Sequence, residues 1–324
     1  MNMLLLLWRE ANGTRLGHSG PKGTYDIGLE SHKSIFELLC DTLKKACNDY
    51  NVKIPWYIMT SKENNIQTVK FFEQNNYFNY GKDNIKFFVQ SELPMLDENG
   101  KIILAAKGKV KKASDGHGGI FAAMIRQNVI KDMGKRGVKW IFINGIDNIL
   151  AKMVDATFLG ITIDKKMLAA AKSVVKCSPE ERVGVFCKRN GKPSVVEYTE
   201  ITKEMAEEKD NNGELKYGES HILCNLFNIQ TIIKMSNGKF PYHIAYKKSD
   251  YINEEGALVK AKMPNAYKFE SFLFDAFSML DDMLILRVKR EEEFSPVKNA
   301  TGVDSPETAK KLYMEYCIKN NISL

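Results

Sequence analysis

Several common signatures are missing from this chain of 324 residues. It has no GxxxxGK[ST] sequence and no three-glycine dinucleotide fingerprint, so it lacks the usual marks of a P-loop and of a dinucleotide site. Its six cysteines are widely spaced, with no CxxC pair and no Cys/His metal spacing. We therefore expect reduced thiols, as in a cytoplasmic protein, and neither a disulfide framework nor a zinc site.

Long hydrophobic runs and long basic blocks are also missing. The apolar start, Met1 to Trp8, is too short for a membrane span or a signal peptide, so we expect no membrane partner. The densest basic run, Lys107 to Lys112, favours a solvated loop. No basic stripe carries interleaved aromatic residues, so nucleic acid is not an expected partner. The net charge of +7 suits a polyanionic small molecule.

What the chain does contain is an apolar strand followed by a basic loop rich in glycine. Residues 3–8 predict a buried parallel strand, and the loop from Gly13 to Gly23 carries Arg15 and Lys22. Glycine lets backbone N–H groups approach phosphate oxygens, and the two cations supply charge. The loop therefore predicts a phosphate site, with an ordinary surface turn as the alternative.

Apolar segments alternate with segments of helical spacing through the first half of the chain. The pattern predicts strands at 54–59, 85–90 and 138–146, and helices at 34–47, 62–75 and 120–133. We expect Thr60 and Ser61 to cap the second helix, and a turn at 97–100 to close a hairpin. Such alternation indicates an α/β fold with a doubly wound, largely parallel sheet and right-handed crossovers.

The second half of the chain predicts a mixed sheet that continues the same core. Strands are expected at 174–175, 183–186, 194–198 and 283–288, with a further apolar run at 222–229, and helices at 200–210, 269–281 and 305–318. The last helix has Ser305 at its N-cap and Pro306 at its first position. No Pro/Ser linker divides the chain, so we expect a single domain over residues 1–324.

Eight short stretches between about residue 4 and residue 312 match the motifs of a known family in their order and spacing. They are 13–17 with 21–23, 54–61, 87–90 with 93–94, 115–119, 147–150, 195–198, 224–227 and 293–299. Together they resemble the UDP-N-acetylhexosamine (UDP-N-acetylglucosamine) pyrophosphorylases of eukaryotes. The resemblance implies a nucleotidyltransferase-type, Rossmann-like α/β fold: a doubly wound, mixed, mostly parallel sheet with helices on both faces.

The resemblance also implies a reaction and a division of the chain. UTP and N-acetylglucosamine 1-phosphate would give UDP-N-acetylglucosamine and pyrophosphate, with Mg²⁺ or Mn²⁺, by in-line attack on the α-phosphorus. Such transfer depends on positioning and on positive charge near the phosphates. The nucleotide would bind in about residues 1–165 and the sugar in about residues 166–312. We expect the family's helical N-terminal part and β-rich C-terminal part to be absent.

The resemblance assigns the nucleotide end of the site. Gly13 would lie in the loop over the nucleotide phosphates, and Arg15 and Lys22 would be the catalytic cations that neutralise pyrophosphate. Gln90 and Gly116 resemble the contacts to uracil and ribose. An amide can both donate to and accept from the uracil edge, which would discriminate against cytosine.

The resemblance assigns the metal and sugar ends as well. Asp147 matches the metal-binding acid, and a hard carboxylate oxygen suits Mg²⁺ whose other ligands are water and phosphate. Glu197 and Asn225 resemble sugar contacts. Lys268 and Lys298 resemble two late lysines that bind the sugar phosphate and the nucleotide phosphates.

Four positions depart from the family pattern. Glu10 and Ala11 stand where the family loop has paired glycines, so either UTP binds poorly here or residues 1–12 contain a sequence error. His117 stands where the N-acetylhexosamine branch usually has Asn, although imidazole can still bond a sugar; Leu226 stands where His is usual. Two alternatives to the expected activity therefore stay open: an impaired nucleotide-sugar binding protein, and a glucose 1-phosphate or broad-specificity uridylyltransferase.

Overall fold

A nine-stranded mixed sheet forms the centre of the computed structural model, which describes residues 4–9 and 13–322. The strands of the chain are β1 (Leu4–Arg9), β2 (Trp56–Thr60), β3 (Ile85–Val89), β4 (Glu92–Pro94), β5 (Leu96–Asp97), β6 (Leu104–Ala106), β7 (Lys109–Val110), β8 (Lys112–Ser114), β9 (Trp140–Gly145), β10 (Ala169–Val175), β11 (Val185–Arg189), β12 (Lys192–Val196), β13 (Glu219–Asn228), β14 (His243–Lys247), β15 (Tyr251–Ile252), β16 (Leu258–Val259), β17 (Ala266–Glu270) and β18 (Leu284–Arg287).

The helices connect these strands. They are α1 (Ile35–Asp49), α2 (Asn65–Gln74), α3 (Ile120–Arg126), α4 (Val129–Lys135), α5 (Ala156–Asp164), α6 (Lys203–Glu207), α7 (Ile229–Ser236), α8 (Arg290–Glu293) and α9 (Pro306–Lys319), with short 3-10 helices that include Gly13–Leu16, Lys22–Thr24, His117–Gly119 and Leu273–Met279. Across residues 4–9 and 13–322, no helix is both long and apolar enough to cross a membrane.

The sheet changes direction at β13. Strands β3, β2, β1 and β9 are mutually parallel in that order, whereas β13 runs antiparallel to β9 and to β10, and β10 pairs in parallel with β18. Ser220 of β13 faces Val174 of β10 and Val185 of β11. Strand β11 therefore lies on the same edge of β13 as β9 does, beyond the carboxyl end of β9.

Helices cover both faces of the sheet because its central strands are apolar on both sides. Trp56 and Ile58 of β2 pack with α1, α2, α5 and α9, whereas Tyr57 and Met59 pack with α3, α4, α7 and the 3-10 helix Leu273–Met279. Alternating side chains of one strand thus enter two different cores. The expected α/β fold, with a doubly wound mixed sheet, is confirmed.

Helix starts that rest on local capping agree with the sequence. Ser34 caps α1 by accepting a hydrogen bond from Glu37 N, and Ser305 caps α9 by accepting from Thr308 N, with Pro306 at the first position. The predicted turn at 97–100 is also present, with Gly100 N donating to Asp97 O. Short sheets built from residues 92–114 and 243–270 stand beside the main sheet.

Two predicted helix starts and spans are wrong for reasons that lie in the contacts. Helix α2 begins at Asn65, because Ser61 and Asn64 bond each other's backbone N–H groups in a turn before it. The helix predicted at 120–133 breaks at Asn128, where φ is +56°. Gln127 there accepts from Val89 N through its side chain, so the break is fixed by the end of β3.

The other two corrections fall in the second half. The helix predicted at 200–210 is confined to α6, because residues after it form a turn in which Lys209 pairs with Leu215. The helix predicted at 269–281 is instead the end of β17 followed by the 3-10 helix Leu273–Met279. Strand pairing between β17 and β14 overrides the helical spacing there.

A buried ion-pair network joins three distant parts of the chain. Lys172 of β10 has no exposed surface, and its Nζ lies 2.6 Å from Asp155 Oδ2 and 2.5 Å from Glu293 Oε2. Burial alone would lower the pKa of Lys172, but the charges of Glu293 and Asp155 outweigh it and raise that pKa. Burial likewise acts to raise the pKa of Asp155, and Lys172 reverses this to a lowered value.

We expect Lys172→Met to lower the free energy of unfolding by about 3–5 kcal/mol at pH 7, because two carboxylates lose their buried cation. Urea denaturation measures this. The matched control is Lys192→Met, which removes an ion pair equally short (2.5 Å to Asp281) but 44% and 96% exposed; it should cost less than about 1 kcal/mol.

The loss of stability caused by Lys172→Met should depend on pH. Asp155 has a lowered pKa in the folded state, so its stabilisation is present above its usual value of 3.8 and is lost as the pH falls through the folded value. The stability gap between wild type and Lys172→Met should therefore narrow below about pH 4. Equal losses of stability in Lys172→Met and Lys192→Met at pH 7 would contradict a stabilising role for the buried ion pairs.

Candidate active site

One edge of the sheet collects most of the predicted site residues. The carboxyl ends of β3, β2, β1 and β9 meet there, and they lead into Gln90, Ser61, the loop from Gly13 and Asp147 respectively. Strand β13 adds Asn225, which faces Ile143 of β9. Ligands of open α/β sheets bind at this edge.

The loop after β1 is held by close packing against α1. A Cβ on Gly23 would lie 2.2 Å from the Phe36 ring, so only glycine lets this helix approach the loop. The predicted cations lie in its two 3-10 turns: Arg15 is exposed, whereas Lys22 is 8% exposed. Glu10 and Ala11 lie outside the described residues, so their effect on nucleotide binding stays a prediction.

Gln90 lines a cavity of about 720 Å³ that residues of the small sheets also border. Its side chain is 5% exposed, and its Oε1 has no hydrogen-bond partner in the described part of the chain. Its backbone N donates to Thr60 O at 2.9 Å, which fixes the residue at the strand end. A buried amide oxygen without a partner is an acceptor available to a ligand.

The cavity is basic. Its lining holds five lysines against three carboxylates: Lys62, Lys111, Lys112, Lys248 and Lys268, with Glu63, Glu92 and Asp250. Lys268 Nζ lies 3.0 Å from Glu270 Oε1 and 3.4 Å from Ser114 Oγ. The surplus of positive charge suits an anionic ligand.

The loop that contains Gly116 is bonded to a distant strand end. Gly118 N donates to Ser271 O at 2.9 Å, and Ser271 N donates to Asp115 O at 2.8 Å. Gly116 has φ +84°, and a Cβ there would lie 2.3 Å from Ser271 O. Both the conformation and the close approach require glycine at this position.

His117 has a structural contact that the sequence does not reveal. Its Nδ1 accepts a hydrogen bond from Leu273 N at 3.0 Å, and its ring stacks on Phe272 with centroids 5.1 Å apart. The accepting Nδ1 places the proton of the neutral ring on Nε2. Any contact of His117 with a ligand therefore falls to Nε2.

Glu197 follows β12 and lies among charged groups. Burial and the nearby Glu200 raise the pKa of its carboxyl, and the charges of His243 and Lys298 only partly offset this. Lys298 is itself held near Asp304, with Nζ 3.4 Å from Oδ2. Lys298 is therefore one of the cations whose charge acts on the Glu197 carboxyl.

Asp147 lies two residues beyond the end of β9. A Cβ on Gly145 would lie 2.6 Å from Asp147 Oδ1 and 2.8 Å from Leu223, so this carboxyl folds back over a glycine. Val297 N donates to Asp147 O at 2.8 Å, which places Lys298 next to the same loop. Within residues 4–9 and 13–322, no group of three or more His, Cys, Asp and Glu side chains is arranged for a metal.

Asn225 has a partner that sequence reasoning missed. The amide is fully buried, with Oδ1 3.1 Å from His221 Nε2 and Nδ2 without a hydrogen-bond partner in the part of the chain that the structure describes. Burial lowers the pKa of His221 to about 4, against a smaller opposite effect of Asn225. Two polar residues four positions apart on an apolar strand were the signal in the sequence.

An aromatic cluster connects these sugar-end residues. Phe274 lies 5.8 Å from both the His117 and the His221 rings, and Phe272 stacks on His117 and contacts the His243 ring at a tilt. The sequence does not indicate this cluster, because its phenylalanines fall within the helix predicted at 269–281. The cluster brings His117 into the neighbourhood of Asn225.

Lys268 and Lys298 each lie beside a site residue other than those with which the family resemblance grouped them. Lys268, grouped with the sugar contacts, lies with Gln90 in the basic cavity. Lys298, grouped with the nucleotide contacts, lies close enough to Glu197 to affect its pKa.

Comparison with known proteins identifies a family whose model matches most of the chain. The model of the UTP–glucose-1-phosphate uridylyltransferase family matches residues 4–304. Human UDP-N-acetylhexosamine pyrophosphorylase-like protein 1 is 39% identical over 319 residues, covering 95% of this chain and 63% of its own length. The UDP-N-acetylglucosamine pyrophosphorylase of Saccharomyces cerevisiae is 38% identical over 324 residues, covering 96% and 68%.

A solved structure agrees over nearly the whole chain. A crystal structure from Entamoeba histolytica, assigned as a UDP-N-acetylglucosamine pyrophosphorylase, superposes with a TM-score of 0.90 at 33% identity. The match covers 98% of this chain and 82% of that one. The chain thus spans most of that protein but only 63% of the length of the human relative.

Substituting Gly116 tests the packing of its loop. We expect Gly116→Ala to lower the free energy of unfolding by more than about 3 kcal/mol, because the Ser271 backbone must move as well as the turn. The control is Gly108→Ala, at φ +73° with no atom within 4 Å of the added Cβ, which should cost only about 1–2 kcal/mol. Thermal and urea unfolding measure both, and equal losses would contradict the role of the Ser271 contact.

Proposed function

The chain belongs to the UTP–glucose-1-phosphate uridylyltransferase family, and from this membership we propose that it transfers the uridylyl group of UTP to N-acetylglucosamine 1-phosphate. The products are UDP-N-acetylglucosamine and pyrophosphate. The relatives named as UDP-N-acetylglucosamine pyrophosphorylases support this choice of substrate, at 38% identity in the yeast protein.

The observation that carries the proposal is the order of polar groups along the sheet edge. Gln90 follows β3, the basic loop follows β1, Asp147 follows β9, and Asn225 lies on β13, in the spatial order of those strands. A ligand made of a base, a phosphate chain and a sugar has the same linear order. The nucleobase then binds at Gln90 and the sugar at Asn225, with the phosphates between them.

The nucleotide end can distinguish bases by one hydrogen bond. The unpartnered Oε1 of Gln90 accepts from N3–H of uracil, whereas cytosine presents an acceptor at N3. Lys268, in the same cavity, adds positive charge toward the phosphates. We assign the ribose contact to the loop of Gly116, whose missing Cβ lets this loop pack on the backbone of Ser271.

The phosphate chain lies against the loop after β1. Arg15 and Lys22 stabilise the negative charge that builds up on pyrophosphate as it leaves the α-phosphorus. The sugar phosphate attacks from the opposite side of that phosphorus. Its own charge is balanced by Lys298, which the backbone bond from Val297 to Asp147 holds at the same loop.

The ligands that the protein offers fit a Mg²⁺ ion that arrives with UTP better than a metal ion held by protein side chains alone. Asp147 offers one carboxylate at the strand end, and Mg²⁺ commonly takes one or two carboxylates with phosphate oxygens and water completing its shell. Asp147 would therefore hold a metal that arrives with UTP, and Mn²⁺ suits the same oxygen ligands. When bound, the metal supplies charge neutralisation at the transferring phosphoryl group.

The sugar end offers a carboxylate, an amide and an imidazole. Glu197 accepts from sugar hydroxyls, Asn225 donates through Nδ2, and His117 can contact the sugar through Nε2.

The six cysteines are free thiols in the structure, and we place the protein in the cytoplasm on the pattern of its cysteines.

We expect pyrophosphate release from UTP and N-acetylglucosamine 1-phosphate, dependent on Mg²⁺ and abolished by EDTA. Lys22→Ala should lower kcat/KM by about 100-fold, since it removes a cation from the leaving group. The control, Lys107→Ala on an exposed turn, should be unchanged. A wild type that binds UDP-sugar but releases no pyrophosphate would indicate an impaired binding protein. A kcat/KM higher for glucose 1-phosphate than for N-acetylglucosamine 1-phosphate would indicate a glucose 1-phosphate uridylyltransferase.

Gln90→Leu tests base recognition. It should raise KM for UTP by about 10-fold and reduce the preference for UTP over CTP, with KM for the sugar phosphate unchanged, because only the uracil contact is lost. Steady-state kinetics with both nucleotides measure this. Unaltered discrimination in Gln90→Leu would remove Gln90 from the base site.

A further inference from the structure

His221 and Asn225 are brought together by an irregularity in β13. In a regular strand, residues four positions apart are about 13 Å apart and cannot share a hydrogen bond. Here four steps of β13, from His221 to Asn225, pass opposite only two steps of β10, from Ser173 to Ala171. The extra residues form a bulge, and it closes the distance between His221 Nε2 and Asn225 Oδ1 to 3.1 Å.

The bulge is held in a conformation that a leucine rarely adopts. Leu223 lies between the two residues with φ +53°, in the left-handed region that disfavours a side chain. Its side chain comes within 2.8 Å of a Cβ placed on Gly145, next to Asp147. The irregularity therefore lies at the candidate site itself, where such backbone conformations are concentrated.

The contact fixes which end of the buried Asn225 amide is left without a partner. Because Oδ1 faces His221 Nε2, that nitrogen is the donor and the ring is the Nε2–H tautomer. The opposite end, Nδ2, then presents two N–H groups that have no partner among the residues described. Without His221, the amide could rotate by 180° and present an acceptor instead.

The His221 ring is itself fixed by its surroundings. Phe186, Phe274 and Phe277 contact it edge-on, with centroids 5.0, 5.8 and 5.8 Å away. Its backbone N donates to Gly184 O at 2.8 Å. A ring enclosed in this way has one orientation, and it passes that orientation to Asn225.

We propose that His221 is a positioning residue for sugar recognition: it holds the Asn225 amide with its donor end toward the ligand, so that the site selects an acceptor oxygen of the sugar. This inference rests on the proposed function, which supplies the sugar. It adds that the oxygen bound at Nδ2 accepts a hydrogen bond, as a hydroxyl or an acetamide carbonyl does.

Kinetics of two matched variants test the proposal. His221→Met fills the space without a donor, and His221→Gln keeps an N–H near the position of Nε2. We expect His221→Met to raise KM for N-acetylglucosamine 1-phosphate about 10-fold with KM for UTP unchanged, and His221→Gln to restore it to within about 3-fold of wild type. A purely structural role would instead change both KM values or the melting temperature, and would overturn the proposal.

A double-mutant cycle separates orientation from packing. If His221 acts through Asn225, then His221→Met should have no further effect on KM in an Asn225→Ala background. Additive effects of the two substitutions would overturn the proposal.

A measurement that does not depend on turnover decides the tautomer. Histidine labelled with ¹⁵N in the whole wild-type protein should show His221, assigned by its loss in His221→Gln, as the Nε2–H tautomer at pH 7. The Nδ1–H tautomer would overturn the proposal even in an active enzyme. A wild type that releases no pyrophosphate contradicts the proposed function alone, since the tautomer still tests the orientation of Asn225.

Discussion

The attachment of residues 293–298 to the loop after β9 is the constraint on which the candidate site depends. Asn148 is 3% exposed, and its side chain donates to Glu293 O at 2.7 Å and accepts from Ser295 N at 2.9 Å. The Glu293 carboxylate in turn binds the buried Lys172. Because these bonds join residues 293–295 to the loop after β9, Lys298 and Asp147 are held together although 150 residues separate them.

The loop with Gly116 is held in the same way from the other side of the edge. Its backbone pairs with Ser271, a residue 155 positions later, and its glycines allow that approach. Both loops thus have ordering entropy removed during folding, before any ligand arrives. A ligand that binds there loses less free energy to ordering the protein, which is the physical meaning of preorganisation at this edge.

The sequence predicted those features that depend on neighbouring residues. The strand before Gly13 and the caps at Ser34 and Ser305 are local, and they are confirmed. The break at Asn128 could not be predicted, since Val89 of a different strand fixes it. The same limit applies to the site: the family resemblance indicated Gln90 and Asn225, but the His221 contact needs a bulge that only strand pairing defines.

Two unpartnered polar atoms define the chemistry that a ligand must have. Gln90 Oε1 and Asn225 Nδ2 are buried, and an unsatisfied buried group costs about 1–3 kcal/mol. A ligand that satisfies both must carry a donor at one end and an acceptor at the other, with the strands β2, β1 and β9 between them. The basic loop after β1 adds that the middle of this ligand is anionic. A uridine base, a phosphate chain and a sugar joined in that order meet all three requirements.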